Sequence, residues 1–272
     1  MLEMNTNRSC GKTVEEEKTL FNTKEGLDQY INMGVLALGI SLPEESINKF
    51  IIYIKMIHAY QKKVNITSIQ DTFDIINTHF LDSLSCIGII NNLWKTFQQG
   101  KRLKIIDVGS GAGFPGVPVK MVLSDASMCL LEARKNRILF LREVIDKLEL
   151  TDTKVVRDRA ENIGKAAEFR EKYHIVLSRA VAALGVLCEY CLPLCQINGV
   201  MIAFKGSSYQ EELSGNKEVI ERLGGIMESI NVVRIPHSSH LRYVLVIRKI
   251  KPTPERFPRK NGIPQKRPLY FK

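Results

Sequence analysis

The sequence predicts an α/β protein built on a mostly parallel, seven-stranded sheet and preceded by a helical segment. Three observations predict it. From residue 103 onward, short apolar runs alternate with helix-patterned ones, as strand–helix units do. A glycine-rich loop follows the first of these runs and opens a helix. Residues 25–97, by contrast, read as helices only.

Residues 1–24 are polar and mixed in charge, and read as a flexible extension. Residues 25–100 form an N-terminal helical segment expected to pack on the core. Within it, Pro43, Glu44 and Glu45 mark a helix start, because Pro and acids suit a first turn. Ile47, Phe50, Ile51, Ile54 and Ile57 follow at helical spacing, and a second helix is predicted over 71–78. The core is assigned to 101–250. Its strands are predicted at 103–108, 128–131, 154–157, 175–178 and 200–204, with helices at 135–148 and 182–192 between them. A helix over 210–223 then leads to strands at 229–235 and 243–248. Such alternation implies a sheet covered on both faces.

Residues 251–272 form a basic, Pro-rich tail. Nine Lys and Arg against one Glu lie between 248 and 272, so this stretch holds most of the net charge of +10. Five of the ten prolines sit there and argue against a regular helix. With Phe257, Tyr270 and Phe271 interleaved, the segment suits a phosphate backbone and unstacked bases. A solvated tail without a ligand is the plainer alternative.

The remaining composition excludes several classes. At 44% hydrophobic and 25% charged the chain is globular rather than disordered. No apolar run approaches the roughly 18–20 residues of a membrane span, the longest candidate being 34–42. No apolar core of a signal peptide follows the first basic residues, so the expected compartment is the cytoplasm. The six cysteines read as free thiols. Cys188, Cys191 and Cys195 offer too few ligands for a tetrahedral metal site and suit one apolar helix face. No metal is expected.

The most informative segment runs Asp107-Val108-Gly109-Ser110-Gly111-Ala112-Gly113-Phe114-Pro115-Gly116. Its glycines let the backbone turn sharply and let a ligand lie against it. Gly111, Gly113 and Gly116 match the dinucleotide pattern, so a nicotinamide-dependent oxidoreductase is one reading. Against it, Gly116 lies beyond a proline, where a pyrophosphate-binding helix start would want free amides. The spacing D-x-G-x-G-x-G instead resembles motif I of the S-adenosylmethionine-dependent methyltransferases. Glu132, closing the second strand, can accept from both ribose hydroxyls in either reading. A polar residue in 158–161 would meet the adenine edge, and Arg179 would face the cleft.

Taken together, Asn65-Ile66-Thr67, His79-x-x-Asp82-Ser83-Leu84, Asp107 to Gly116, Arg159-Ala160-Glu161, Ser178-Arg179-Ala180 and Phe204-Lys205-Gly206 resemble, in their order, the glucose-inhibited division protein B family. The resemblance covers about residues 25–268. It implies a Rossmann-like class I methyltransferase that uses S-adenosyl-L-methionine to methylate N7 of a guanosine in small-subunit (16S) ribosomal RNA. It carries cofactor contacts to Gly109, Phe114, Ala160, Glu161 and Arg179. Gly111 and Glu132 join them from the loop and fold arguments. Arg179 and Lys205 are candidates for the reaction centre, though no catalytic residue is assigned. His79, Asp82 and Ser83 are candidates for substrate-side or structural roles. The expected partner is ribosomal RNA or the 30S particle, met by a monomer away from membranes. The 1–24 extension falls outside the resemblance.

The chemistry fits what is missing. Guanine N7 carries a free lone pair, so in-line positioning needs no general base. The chain has neither the Pro-Pro of amino-methylating enzymes nor a Pro-Cys for attack on cytosine. A non-catalytic RNA-binding assembly factor is the remaining alternative.

Overall fold

The computed structural model describes residues 23–62, 66–96, 102–239 and 241–270. The expectations for residues 1–22, Asn65, Phe271 and Lys272 lie outside these.

Helix α1 (Lys24–Ala37) starts where Thr23 accepts the Gly26 amide at 3.0 Å. Helix α2 (Glu44–Gln61) starts at Pro43, with Glu44 and Glu45 in its first turn, and buries Ile47, Phe50, Ile51, Tyr53, Ile54 and Ile57. The second predicted helix begins as expected, with Asp71 capping α3 (Thr72–Ile75), but does not end at 78. It widens into a π-helical turn (Ile76–Leu81), continues as α4 (Asp82–Leu84) and is followed by α5 (Ile87–Thr96). The run Thr72–Lys95 is thereby long and apolar enough to cross a membrane, contrary to the sequence reading, yet most of it is buried in this fold.

The sheet follows: β1 (Lys104–Val108), α6 (Gly116–Val122), β2 (Ser127–Glu132), α7 (Lys135–Lys147), β3 (Thr153–Arg157), α8 (Ala160–Ile163), β4 (Tyr173–Arg179), α9 (Leu184–Cys191) and β5 (Cys195–Lys205). The predicted single helix over 210–223 is two, α10 (Tyr209–Ser214) and α11 (Lys217–Arg222). Gly215 ends the first and Asn216 starts the second, two poor helix formers in succession. Strands β6 (Gly225–Arg234) and β7 (Leu241–Lys249) form an antiparallel pair.

The strand order is β3-β2-β1-β4-β5-β7-β6. Neighbours from β3 to β5 pair in parallel, and β7 runs antiparallel to both β5 and β6. Alternation along the strands feeds two cores. Ile105, Leu130, Ile175 and Ile202 meet the N-terminal helices on one face. Ile106, Leu131, Val176 and Met201 meet α9 and α11 on the other. Cys188 and Cys191 lie on α9 as expected, whereas Cys195 opens β5; all three are buried free thiols, and burial raises their pKa.

The tail differs most from expectation. Residues 251–270 fold back over the second core, burying Thr253 and Phe257. A segment rich in proline has more carbonyls than amides, and Arg170 supplies the missing donors. It reaches the carbonyls of Gly164 (2.6 Å), Phe257 (2.9 Å) and Thr253 (2.6 Å). Pro264 falls in the first turn of α12 (Ile263–Lys266), where a missing amide costs nothing. Part of the basic charge is internal: Lys249 is buried beside Glu171 at 3.2 Å, and Arg259 forks onto buried Glu189.

Candidate active site

Open sheets of this kind hold ligands beyond the C-terminal ends of their parallel strands, and the predicted residues gather there. β1 ends in the glycine loop, which docks on β2 through the Gly109 and Ser110 amides, both donating to the Leu131 carbonyl at 2.9 and 3.0 Å. Gly109 has φ +76°, and a Cβ there would lie 2.7 Å from Val181. Gly113, at φ +100°, would drive one to 2.4 Å from the Tyr53 hydroxyl oxygen.

Glu132 is buried and held from three sides. Its Oε1 accepts from the Ala133 and Arg134 amides at 2.8 Å each, and its Oε2 from the Gly111 amide at 3.0 Å. The Gly116 amide at the start of α6 donates to Asp107 Oδ2 at 2.9 Å. The amide a pyrophosphate would use is therefore already engaged. Burial pushes the Asp107 carboxyl up to about 7, and its Oδ1 has no partner among the described residues.

A cavity of about 370 Å³ opens above this loop. Gly109, Glu132, Asp158, Ala160 and Glu161 line it, together with Gln265 from the folded-back tail. Gly111 stands behind it, fixing Glu132.

Arg179 lines a second cavity beside it, and Phe114 lies buried beneath Arg179 without lining either cavity. The volume of the second cavity is about 330 Å³, and Thr78, His79, Asp82, Arg179, Lys205 and Arg242 line it. Asp82 is 1% exposed and holds two arginines. Arg179 Nη1 donates to its Oδ2 at 2.7 Å, and Arg242 forks onto both oxygens. Arg179 Nη1 also donates to the Thr78 carbonyl at 2.9 Å, and the guanidinium lies 5.4 Å from the Phe114 ring centre. Phe114 is buried beneath, stacked on His79 at 4.6 Å and Tyr53 at 5.4 Å. Its contribution is to support Arg179 and His79 from below.

His79 Nδ1 faces Arg179 Nη2 at 3.2 Å, so it is the acceptor, and Nε2–H donates to Thr67 Oγ1 at 2.7 Å. Burial, reinforced by Arg179, lowers its pKa to about 3, and the ring is neutral. The sequence places His79 and Asp82 one turn apart on a helix surface; the π-turn instead directs both inward onto Arg179. Ser83 donates back to the His79 carbonyl. Lys205 pairs with Glu212 at 2.7 Å and reaches the Ala182 carbonyl at 3.1 Å, fixing the β4–α9 loop.

Ala180 lines both cavities, with φ +55°. A left-handed alanine immediately after a strand is a strained position of the kind that collects at functional sites. Sequence reasoning misses Ala180 as a lining residue, Arg242 and Gln265. Arg242 enters only because β7 inserts beside β5, and Gln265 only because the tail returns.

The strand order with its reversed β7, the glycine loop after β1 and the carboxylate closing β2 make this a Rossmann-like sheet with a ligand cleft at its strand ends. The model of the family GidB, rRNA small subunit methyltransferase G, matches residues 46–241, and the chain belongs to this family. The chain is 44% identical over 236 residues to the ribosomal RNA small subunit methyltransferase G of Acetivibrio thermocellus, covering 87% of this chain and 94% of that protein. It is 39% identical to the protein of the same name from Bacillus subtilis, over 87% and 96% of the two chains. Among solved structures it is similar to a putative S-adenosyl-L-methionine-dependent methyltransferase of Methanococcus maripaludis, at 15% identity and a TM-score of 0.48, over 68% of this chain and 97% of that one. The protein is an S-adenosylmethionine-dependent methyltransferase of small-subunit ribosomal RNA. The oxidoreductase and assembly-factor readings are set aside.

Proposed function

We propose that the enzyme methylates N7 of a guanosine by positioning alone, with S-adenosylmethionine in the cavity above Glu132 and the target base in the cavity beside Arg179. The observation that carries this reading is that the two cavities meet at Ala180. The first cavity fits the cofactor. Glu132, held by backbone amides, presents an acceptor-only group suited to vicinal hydroxyls, and Gly109 lines the cavity with it. Bound there, the cofactor supplies an electrophilic methyl group on a sulfonium.

In the second cavity, Asp82 fixes Arg179 and Arg242, and their remaining N–H groups can donate to guanine O6 or to a phosphate. Neutral His79 takes up no proton and needs to take none, because N7 attacks with a lone pair. Gly109, Gly111, Glu132, Ala160 and Glu161 are assigned to the cofactor, Phe114 to support of Arg179, and Arg179 to the junction. Lys205 is assigned a positioning role. The setting is a cytoplasmic monomer acting on ribosomal RNA or the 30S particle. In A-form RNA, N7 faces a deep, narrow groove, so the target base must be unpaired or distorted.

The test is transfer of label from S-adenosylmethionine to naked RNA and to 30S particles from cells lacking the enzyme. Label recovered as 7-methylguanosine, and lost in Arg179→Ala, is expected. Label on another atom or nucleotide would overturn the target.

A further inference from the structure

We propose that the returning tail completes the adenine end of the cofactor cavity, and that Gln265 is the side chain that reads the adenine edge. The inference rests on the cavity being the S-adenosylmethionine site. Glu132 lies on β2, and the lining residues Asp158, Ala160 and Glu161 follow β3, the next strand outward. Beyond the ribose acid, the cavity therefore runs toward the tail.

Two bonds tie the tail to this wall. The Gly262 amide donates to Glu161 Oε1 at 2.8 Å. Arg259 reaches fully buried Glu189 through its backbone amide (2.8 Å), Nε (2.9 Å) and Nη2 (2.7 Å). Glu189 neighbours Tyr190, which itself lines the cavity, so the helix that anchors the tail also forms the wall. Gln265 is held at the mouth as a consequence.

The chemistry selects Gln265. The adenine edge presents an amino donor beside a ring-nitrogen acceptor, and a primary amide offers the complementary acceptor and donor. The two nearby carboxylates can only accept. Asp158 Oδ1 already takes the Arg159 amide (2.7 Å) and Asn162 (2.6 Å), and Glu161 takes Gly262. The Gln265 amide is exposed and has no protein partner among the described residues.

The test uses the full chain and two probes, S-adenosyl-L-homocysteine and its purine-riboside analogue, which lacks the 6-amino donor. Calorimetric titration of the wild type should show preference for the adenine form. Gln265→Ala should bind that form about tenfold more weakly, one neutral hydrogen bond's worth, with the preference narrowed. Lys266→Ala, next in the chain, should match the wild type. Hydrogen exchange of amides 262–267 should slow when S-adenosyl-L-homocysteine is bound. Unchanged affinity and preference in Gln265→Ala would overturn the inference. Equal loss in Lys266→Ala would overturn the role of Gln265 by assigning the effect to tail docking. A wild type that binds neither probe would instead overturn the cavity reading, and this inference with it.

Discussion

At the scale of single residues, Asp82 and Asp107 carry opposite burdens. Asp82 is a buried carboxylate compensated by two guanidinium groups. Asp82→Ala strips both arginines of their partner and is expected to cost about 3–5 kcal/mol. Chemical denaturation measures the loss, and methyl transfer should fall as Arg179 and Arg242 shift. Asp107 is a buried carboxyl without a cation in contact, raised from 3.8 to about 7 mainly by burial. The folded state thus binds its proton more tightly than the unfolded state. Its contribution is fully present below pH 3.8 and is lost as pH rises through 7. Asp107→Asn, with no charge to bury, should gain stability on the wild type between pH 5 and pH 8. A difference in urea midpoint that stays constant over that range would contradict the assignment. Asp107, Gly109 and Glu132 are legible from sequence because motif spacing and strand ends fix them locally. The partners of Asp82 are not, since Arg179 and Arg242 lie about 100 and 160 positions away.

At the scale of elements, the strands are legible because each is a short apolar run with a period of two. The stretch after Asp71 reads as a plain helix that stops too early. Its apolar residues, Ile75, Ile76, Phe80, Leu81 and Leu84, are buried on so many sides that no period survives to reveal a π-turn. The tail misleads for a different reason. Proline and charge argue for solvent unless a partner supplies donors and counter-charges, and Arg170, Glu171 and Glu189 do so from the core. Arg259→Ala would leave Glu189 buried and uncompensated, and should cost about 3–5 kcal/mol. The Arg259→Ala, Glu189→Gln pair should recover part of that loss, and a double-mutant cycle on thermal or urea unfolding measures the coupling.

At the scale of the molecule, helices on both faces, with the returning tail over the second, leave the C-terminal strand ends as the open edge. Charge remains on the surface of the tail to meet RNA, because Lys251, Arg256, Lys260, Lys266 and Arg267 stay exposed while Lys249 and Arg259 are used internally. Neutralising Lys260, Lys266 and Arg267 together, the exposed cations next to the cavity-lining part of the tail, should weaken RNA binding and flatten its dependence on salt. The log–log slope should fall by about 0.7 for each single-strand phosphate left without its cation. An unchanged slope would place the RNA elsewhere. Deleting 251–272 is not an equivalent experiment, since it would also uncover Phe257's neighbours and strand Glu161 and Glu189.

The returning tail also sets a schedule. A polypeptide is made from its N-terminus, and domains begin to fold as they emerge. Here the residues that neutralise Glu189, cover the second core and wall the cavity are synthesised after every strand of the sheet. Until they emerge, Glu189 lacks its cation, Glu161 its amide partner and the cavity its Gln265 wall. The pocket is thus completed from a segment that follows the whole sheet in the chain.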